Sequence, residues 1–131
     1  MSQQFEIGLM WFRRDLRVTD NAALHMALKA CRQLHCVFVF DRDILDGLPR
    51  VDRRVEFIRE SLVELDQDLR QLSGHNDAGL IVQHAKAVDT IAPLAQELSV
   101  KVVFAAHDYE PQAVIRDAKV RDDLASVGIS F

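Results

Sequence analysis

Apolar residues along this chain fall into two kinds of pattern. Four short continuous runs, Phe5–Trp11, Leu34–Phe40, Gly79–Gln83 and Lys101–Ala105, have the length and composition of buried strands. Longer stretches between them carry apolar residues at steps of three and four, the spacing of a helix with one buried face. Asn21–Arg32 reads as a first helix with Leu24, Leu28 and Cys31 on its inner side, capped by Thr19 or Asp20. Arg53–Leu72 is the clearest, with Ile58, Leu62, Leu65, Leu69 and Leu72 in register, and Ser73-Gly74 closes it. A third helix presents Val88, Ile91, Ala95 and Leu98. A fourth, roughly Pro111–Val127, opens on a proline where no hydrogen bond is lost. Asp41–Asp52 is a polar loop holding Gly47 and Pro49.

Strand and helix alternate without interruption. That order predicts an α/β fold: Rossmann-like and doubly wound, a five-stranded, mostly parallel sheet with helices on both faces. Gly128-Ile129-Ser130-Phe131 would open the fifth strand. A chain that halts as an apolar strand begins is expected to be a piece of a longer protein, here one domain over residues 1–131. In such sheets ligands bind at the carboxyl ends of the strands where strand order reverses. The pocket is therefore expected at the ends of strands one, two and four.

Composition narrows the function without choosing it. With 49% apolar and 27% charged residues the chain is an ordinary globular domain. No apolar run spans a bilayer and no secretory signal is visible, so a cytoplasmic, monomeric protein without membrane contact is expected. A net charge of -4 argues against this chain gripping DNA by itself. Arginines cluster at Arg13, Arg14 and Arg17, and at Arg50, Arg53 and Arg54, but Asp15, Asp20, Asp46 and Asp52 are interleaved with them. Such clusters suit either an anion site or a salt-bridged surface. Cys31 and Cys36 have no second pair for zinc and read as buried, reduced thiols. The five histidines are scattered, so no metal site is expected.

The segment Leu9-Met-Trp-Phe-Arg-Arg-Asp-Leu-Arg-Val-Thr-Asp-Asn-Ala-Ala-Leu24 carries the most specific wording. It resembles the amino-terminal signature of the photolyase/cryptochrome family, most of all the bacterial deoxyribodipyrimidine photolyases. Asp41-Arg-Asp-Ile-Leu45, Arg53-Arg-Val-Glu-Phe-Ile58, His107-Asp-Tyr-Glu-Pro111 and Arg116-Asp117 extend the likeness in the same order. The resemblance implies an α/β domain that holds a light-harvesting antenna chromophore. It also implies a following helical domain, absent here, that carries the catalytic FAD and the DNA site. In that family excited, reduced FAD splits cyclobutane pyrimidine dimers, and the antenna feeds it excitation. This domain alone is then expected to be inactive, with its own FAD domain as partner and DNA engaged only through the full-length protein.

An antenna pocket needs no nucleophile; it needs a crevice and a few orienting polar groups. By the same resemblance Asp108 and Glu110 match the Asp-x-Glu presented to 8-hydroxy-5-deazaflavin. Arg54 matches a basic residue of that pocket, and Arg13 lies beside it at the end of strand one. Folate-binding members have Asn-Glu where this chain has Gln112-Ala113, and alanine cannot replace a carboxylate. A deazaflavin or flavin is therefore favoured over methenyltetrahydrofolate. Ala106, in place of a common Asn, and Gln83–Val88, without the usual Gly-Pro turn, would reshape the rim.

Simpler roles compete. Asp108 and Glu110 can cap the following helix, and Arg14, Asp15 and Arg17 can form a salt-bridged turn. Two other functions are compatible with the layout. A cryptochrome would use the same fold for light signalling. A nucleotide-binding α/β domain would need a glycine-rich loop after strand one, and Phe12-Arg13-Arg14-Asp15 has no glycine.

Overall fold

The computed structural model of the chain describes residues 5–13, 16, 21–41, 53–73, 80–106 and 111–131. Its elements run β1 (Phe5–Phe12), α1 (Ala22–Ala30), β2 (Cys31–Asp41), α2 (Arg53–Ser73), β3 (Leu80–Ala85), α3 (Ala87–Glu97), β4 (Val102–Phe104) and α4 (Pro111–Ser126). The strands form one sheet in the order β3-β2-β1-β4, and every pairing is parallel. Phe5 faces Cys31 and Phe12 faces Phe38 along β1 and β2, while Leu9 faces Val103 across to β4.

Helices cover both faces. Even-numbered β1 residues Met10 and Phe12 meet Leu24 and Ala27 of α1 and Leu62, Leu65 and Leu69 of α2. Odd-numbered Leu9 and Trp11 meet Ile91 and Ala95 of α3 and Val120 and Leu124 of α4. A central parallel strand buried on both sides reads as a continuous apolar run, which is why Leu9–Phe12 shows no alternation. At roughly 25 cal/mol per Å² of apolar surface removed from water, these two cores are the main stabilising force.

The fifth strand is one parallel bridge, Val102 to Ser130, outside β4. Val103 N–H donates to Ser130 O at 2.8 Å and Ser130 N–H to Lys101 O at 3.2 Å. Gly128 does not open that strand; it ends α4. Its φ of 78° lets the chain turn, and the Ile129 N–H donates back to Leu124 O at 2.9 Å. That turn buries Ile129 and sets Ser130 beside β4.

Three local expectations are corrected. The cap of α1 is Asn21, whose side chain accepts from Leu24 N–H at 3.1 Å, one residue after Asp20 and two after Thr19. Those two lie outside the described residues. The first helix stops at Ala30, and Cys31 already pairs with Phe5 in β2. Leu28 is 42% exposed, because α1 lays Leu24 and Ala27 on the sheet and the following turn belongs to the strand.

Helix α2 buries Leu62, Leu65 and Leu69 as its periodicity requires; the side chains of Ile58 and Leu72 lie outside the described residues, as does Gly74. In α3, Ile91 and Ala95 are fully buried, and Val88 and Leu98 pack against the same core. Among the described residues no helix is long and apolar enough to cross a membrane.

Candidate functional site

Strand order reverses between β1 and β4, where α1 leaves over one face and α4 over the other. In open α/β sheets the carboxyl ends of the two strands at such a switch point flank a crevice, the usual ligand position. Arg13 stands at this edge, directly after β1.

Arg13 follows the odd-numbered face set by Leu9 and Trp11, so its side chain meets α4. Its Nη1 donates to both carboxylate oxygens of Asp117 at 2.5 Å. The two side chains are only 7% and 10% exposed. Arg116 donates from Nε to the same Asp117 Oδ1 at 3.3 Å. Both guanidiniums lie 5.0 Å from the centroid of Trp11, the single tryptophan of the chain. The Phe131 ring tilts against Trp11 at 6.1 Å, and Arg121 covers Phe131 at 5.4 Å. A charge taken out of water has to be paired, and here one carboxylate and one indole ring hold the arginines in place. Losing one partner of a buried pair costs about 3–5 kcal/mol, because the other charge is then stranded. Arg13 Nε is buried and has no hydrogen-bond partner among the described residues.

Of the predicted site residues, Arg13 is therefore at the crevice and committed on one side to Asp117. Arg54 falls in the first turn of α2, on the other face of the sheet; its side chain lies outside the described residues. Asp108 and Glu110 fall between β4 and α4, also outside them, as do Arg14, Asp15 and Arg17. Ala113 is buried on the inner side of α4.

Asp117 is the residue that sequence reasoning missed. Among the described side chains, the buried positions of α4 are Ala113, Asp117, Val120 and Leu124, at steps of four, three and four. A carboxylate on the apolar stripe of a helix calls for a buried cation, and that signal was present in the sequence. Its partner, 104 positions away, was not.

The remaining chemistry is sparse. Burial pushes the Cys36 thiol up to about 12 and raises that of Cys31, so neither supplies a thiolate nucleophile near neutral pH. Among the described residues no three His, Cys, Asp or Glu side chains gather as metal ligands. Outside the crevice, Asp66 of α2 accepts from the Leu80 N–H at 2.8 Å and from Arg70 Nε at 3.0 Å. The described residues at the carboxyl edge of the sheet supply charge and hydrogen bonds with which to orient a ligand.

Comparison with known proteins gives the crevice a context. The family model for DNA photolyase matches residues 8–131. The chain is 32% identical to the (6-4)DNA photolyase of Arabidopsis thaliana, over 93% of its own length and 23% of the relative's. It is 33% identical to the deoxyribodipyrimidine photo-lyase of a Synechococcus strain, over 92% of this chain and 24% of that one. Cryptochrome-2 of Gallus gallus is 33% identical over 84% of this chain and 18% of its own. Among solved structures, an archaeal photolyase from Sulfolobus tokodaii with two FAD molecules superposes with a TM-score of 0.84 and 32% identity, covering 95% of this chain and 28% of that one. The chain thus spans about a quarter or less of the length of these relatives. With the family match running from β1 to the last residue, and the same parallel fold beneath it, the chain belongs to the DNA photolyase family.

Proposed function

We propose that this domain holds an antenna chromophore for a photolyase, gathering light for a catalytic FAD bound by a following helical domain. The observation that carries the reading is the β1/β4 switch point, set in a fold that superposes on a photolyase described with two FAD molecules and a light-harvesting cofactor. A second FAD in that relative needs a place outside the catalytic site, and an open α/β sheet has one at its switch point. Arg13 brings a fixed positive charge to this edge, which suits a flat, acceptor-rich heterocycle.

Arg13, Arg54, Asp108 and Glu110 are the residues we assign to the chromophore, with a flavin or 8-hydroxy-5-deazaflavin favoured over methenyltetrahydrofolate. When bound, the chromophore absorbs light and passes its excitation on. The protein's part is to immobilise it, orient it and keep water away. The buried Ala113, where a folate-binding member has a carboxylate, offers no acceptor. Repair of cyclobutane pyrimidine dimers, through DNA contacts of the whole protein, is the proposed outcome. Light signalling is the second reading, favoured by the cryptochrome relative.

Titrating the chain separately with FAD, 8-hydroxy-5-deazaflavin and methenyltetrahydrofolate, and following each absorption band, tests the assignment. Saturable binding of a flavin or deazaflavin is expected. Tight folate binding without the others, or binding of none, refutes it. Light-dependent dimer loss by the full-length protein separates repair from signalling.

A further inference from the structure

We infer that the outer edge of β3 pairs with the same edge of a second copy of this chain, the two strands running antiparallel about a twofold axis. The sheet order puts β3 at one edge, and among the described residues only β2 pairs with it. An open strand edge presents a row of unpaired N–H and C=O groups, which proteins usually blunt with a charge, a proline or a bulge. Leu80-Ile-Val-Gln-His-Ala85 carries no Asp, Glu, Lys, Arg or Pro, and its register with β2 runs without a bulge. Apolar surface reaches the edge as well. Val82 is 48% exposed, although Phe38, opposite it in β2, is buried.

Helix α2 enlarges this patch. Asp66 accepts the Leu80 N–H at 2.8 Å, so that flank of α2 stands over the start of β3. Val63, one turn back on the same flank, is 59% exposed. Three helical residues rise about 4.5 Å and two strand residues about 6.6 Å, and the helix runs against the strand, so Val63 and Val82 lie at nearly the same level. A second copy suits this edge. A twofold axis makes the paired strands antiparallel, the slightly stronger arrangement, and an uncharged strand meets itself without like charges opposite each other. The axis also puts Val63 and Val82 of both copies on one face of the joined sheet. At the other edge β4 already pairs with Ser130, so association closes at two copies and does not grow into a fibre. Six strand residues, about 20 Å, and one helix flank make a small interface, of the class that associates weakly and reversibly. A weak dimer thus takes the place of the monomer expected from the sequence.

Sedimentation equilibrium of the 131-residue chain from about 1 μM to about 1 mM covers weak and moderate affinities. The mass should rise from 14.9 kDa towards twice that value. Val82→Lys places a charge on the edge and should weaken association about tenfold or more. Ile115→Lys, at a 72% exposed position of α4 on the other face of the sheet, should leave it within about a factor of two. Circular dichroism checks that both variants keep the fold. Hydrogen exchange reads the edge without any substitution: amides of Leu80–Ala85 should exchange more slowly in a concentrated sample than in a dilute one. A monomer at every concentration overturns the inference, and so does growth beyond two copies. Equal weakening by the two lysines, or exchange in β3 that ignores concentration, puts the contact elsewhere and overturns it too.

Discussion

Asp66 ties the end of α2 to the start of β3 and makes the interaction whose strength is most open to measurement. Its Oδ1 accepts the Leu80 N–H at 2.8 Å, and its Oδ2 accepts Arg70 Nε at 3.0 Å one helical turn on. Hydrogen bonds to a charged group contribute about 1.5–3 kcal/mol when well enclosed. The Asp66 side chain is 32% exposed, so solvent screening brings the expected loss for Asp66→Ala to about 1–2 kcal/mol. Asp66→Asn keeps an acceptor for Leu80 and should lose about half as much.

The Leu80 N–H above all holds the Asp66 carboxyl below its usual range; burial opposes it, and the hydrogen bond and charge of Arg70 add to the lowering. A carboxyl depressed in the folded state stabilises it fully above the unfolded value, about 3.9, and that stabilisation is lost as pH falls through the folded value. The gap between the native chain and Asp66→Asn should therefore be complete at pH 7 and shrink towards zero at pH values well below 4. Urea unfolding followed by Trp11 emission, a buried single probe, gives both numbers. An Asp66→Ala loss under 0.5 kcal/mol, roughly the level of an ordinary surface change, would refute the account. A gap that persists undiminished at pH 3 would do the same.

Two further outcomes follow from the core. A Cβ at Gly8 would fall on the Cys31 sulfur, so Gly8→Ala should cost about 1–3 kcal/mol by overpacking, and most of that cost should vanish when Cys31→Ala is present. Chemical denaturation of the two single variants and the double variant checks it, and an undiminished penalty in the double would contradict the packing. Cys36, its thiol pushed up to about 12 by burial, should resist a thiol-selective disulfide reagent at pH 8 in the folded chain and react at once in denaturant. Rapid labelling of Cys36 in the folded state would show that β2 is not closed.

The sequence alone carried the element order, the parallel sheet with two covered faces and the family, because each rests on local information. Apolar periodicity marks α2 wherever it docks, and the run Leu9–Phe12 can be apolar throughout only in a strand buried on both sides. The signature around Trp11 and Arg13 was legible for the same reason: its residues are neighbours in the chain. Boundaries were less so. Where α1 passes into β2 at Cys31, strand pairing with Phe5 wins over helical periodicity, and only the folded sheet supplies that competitor. Asp117 shows the same division at the crevice. Its position on an apolar stripe announces a buried carboxylate in need of a cation, but any of the sixteen Lys and Arg residues could have answered. Tertiary structure selected Arg13, because β1 and α4 meet face to face only after the chain has wound through three strands and three helices between them.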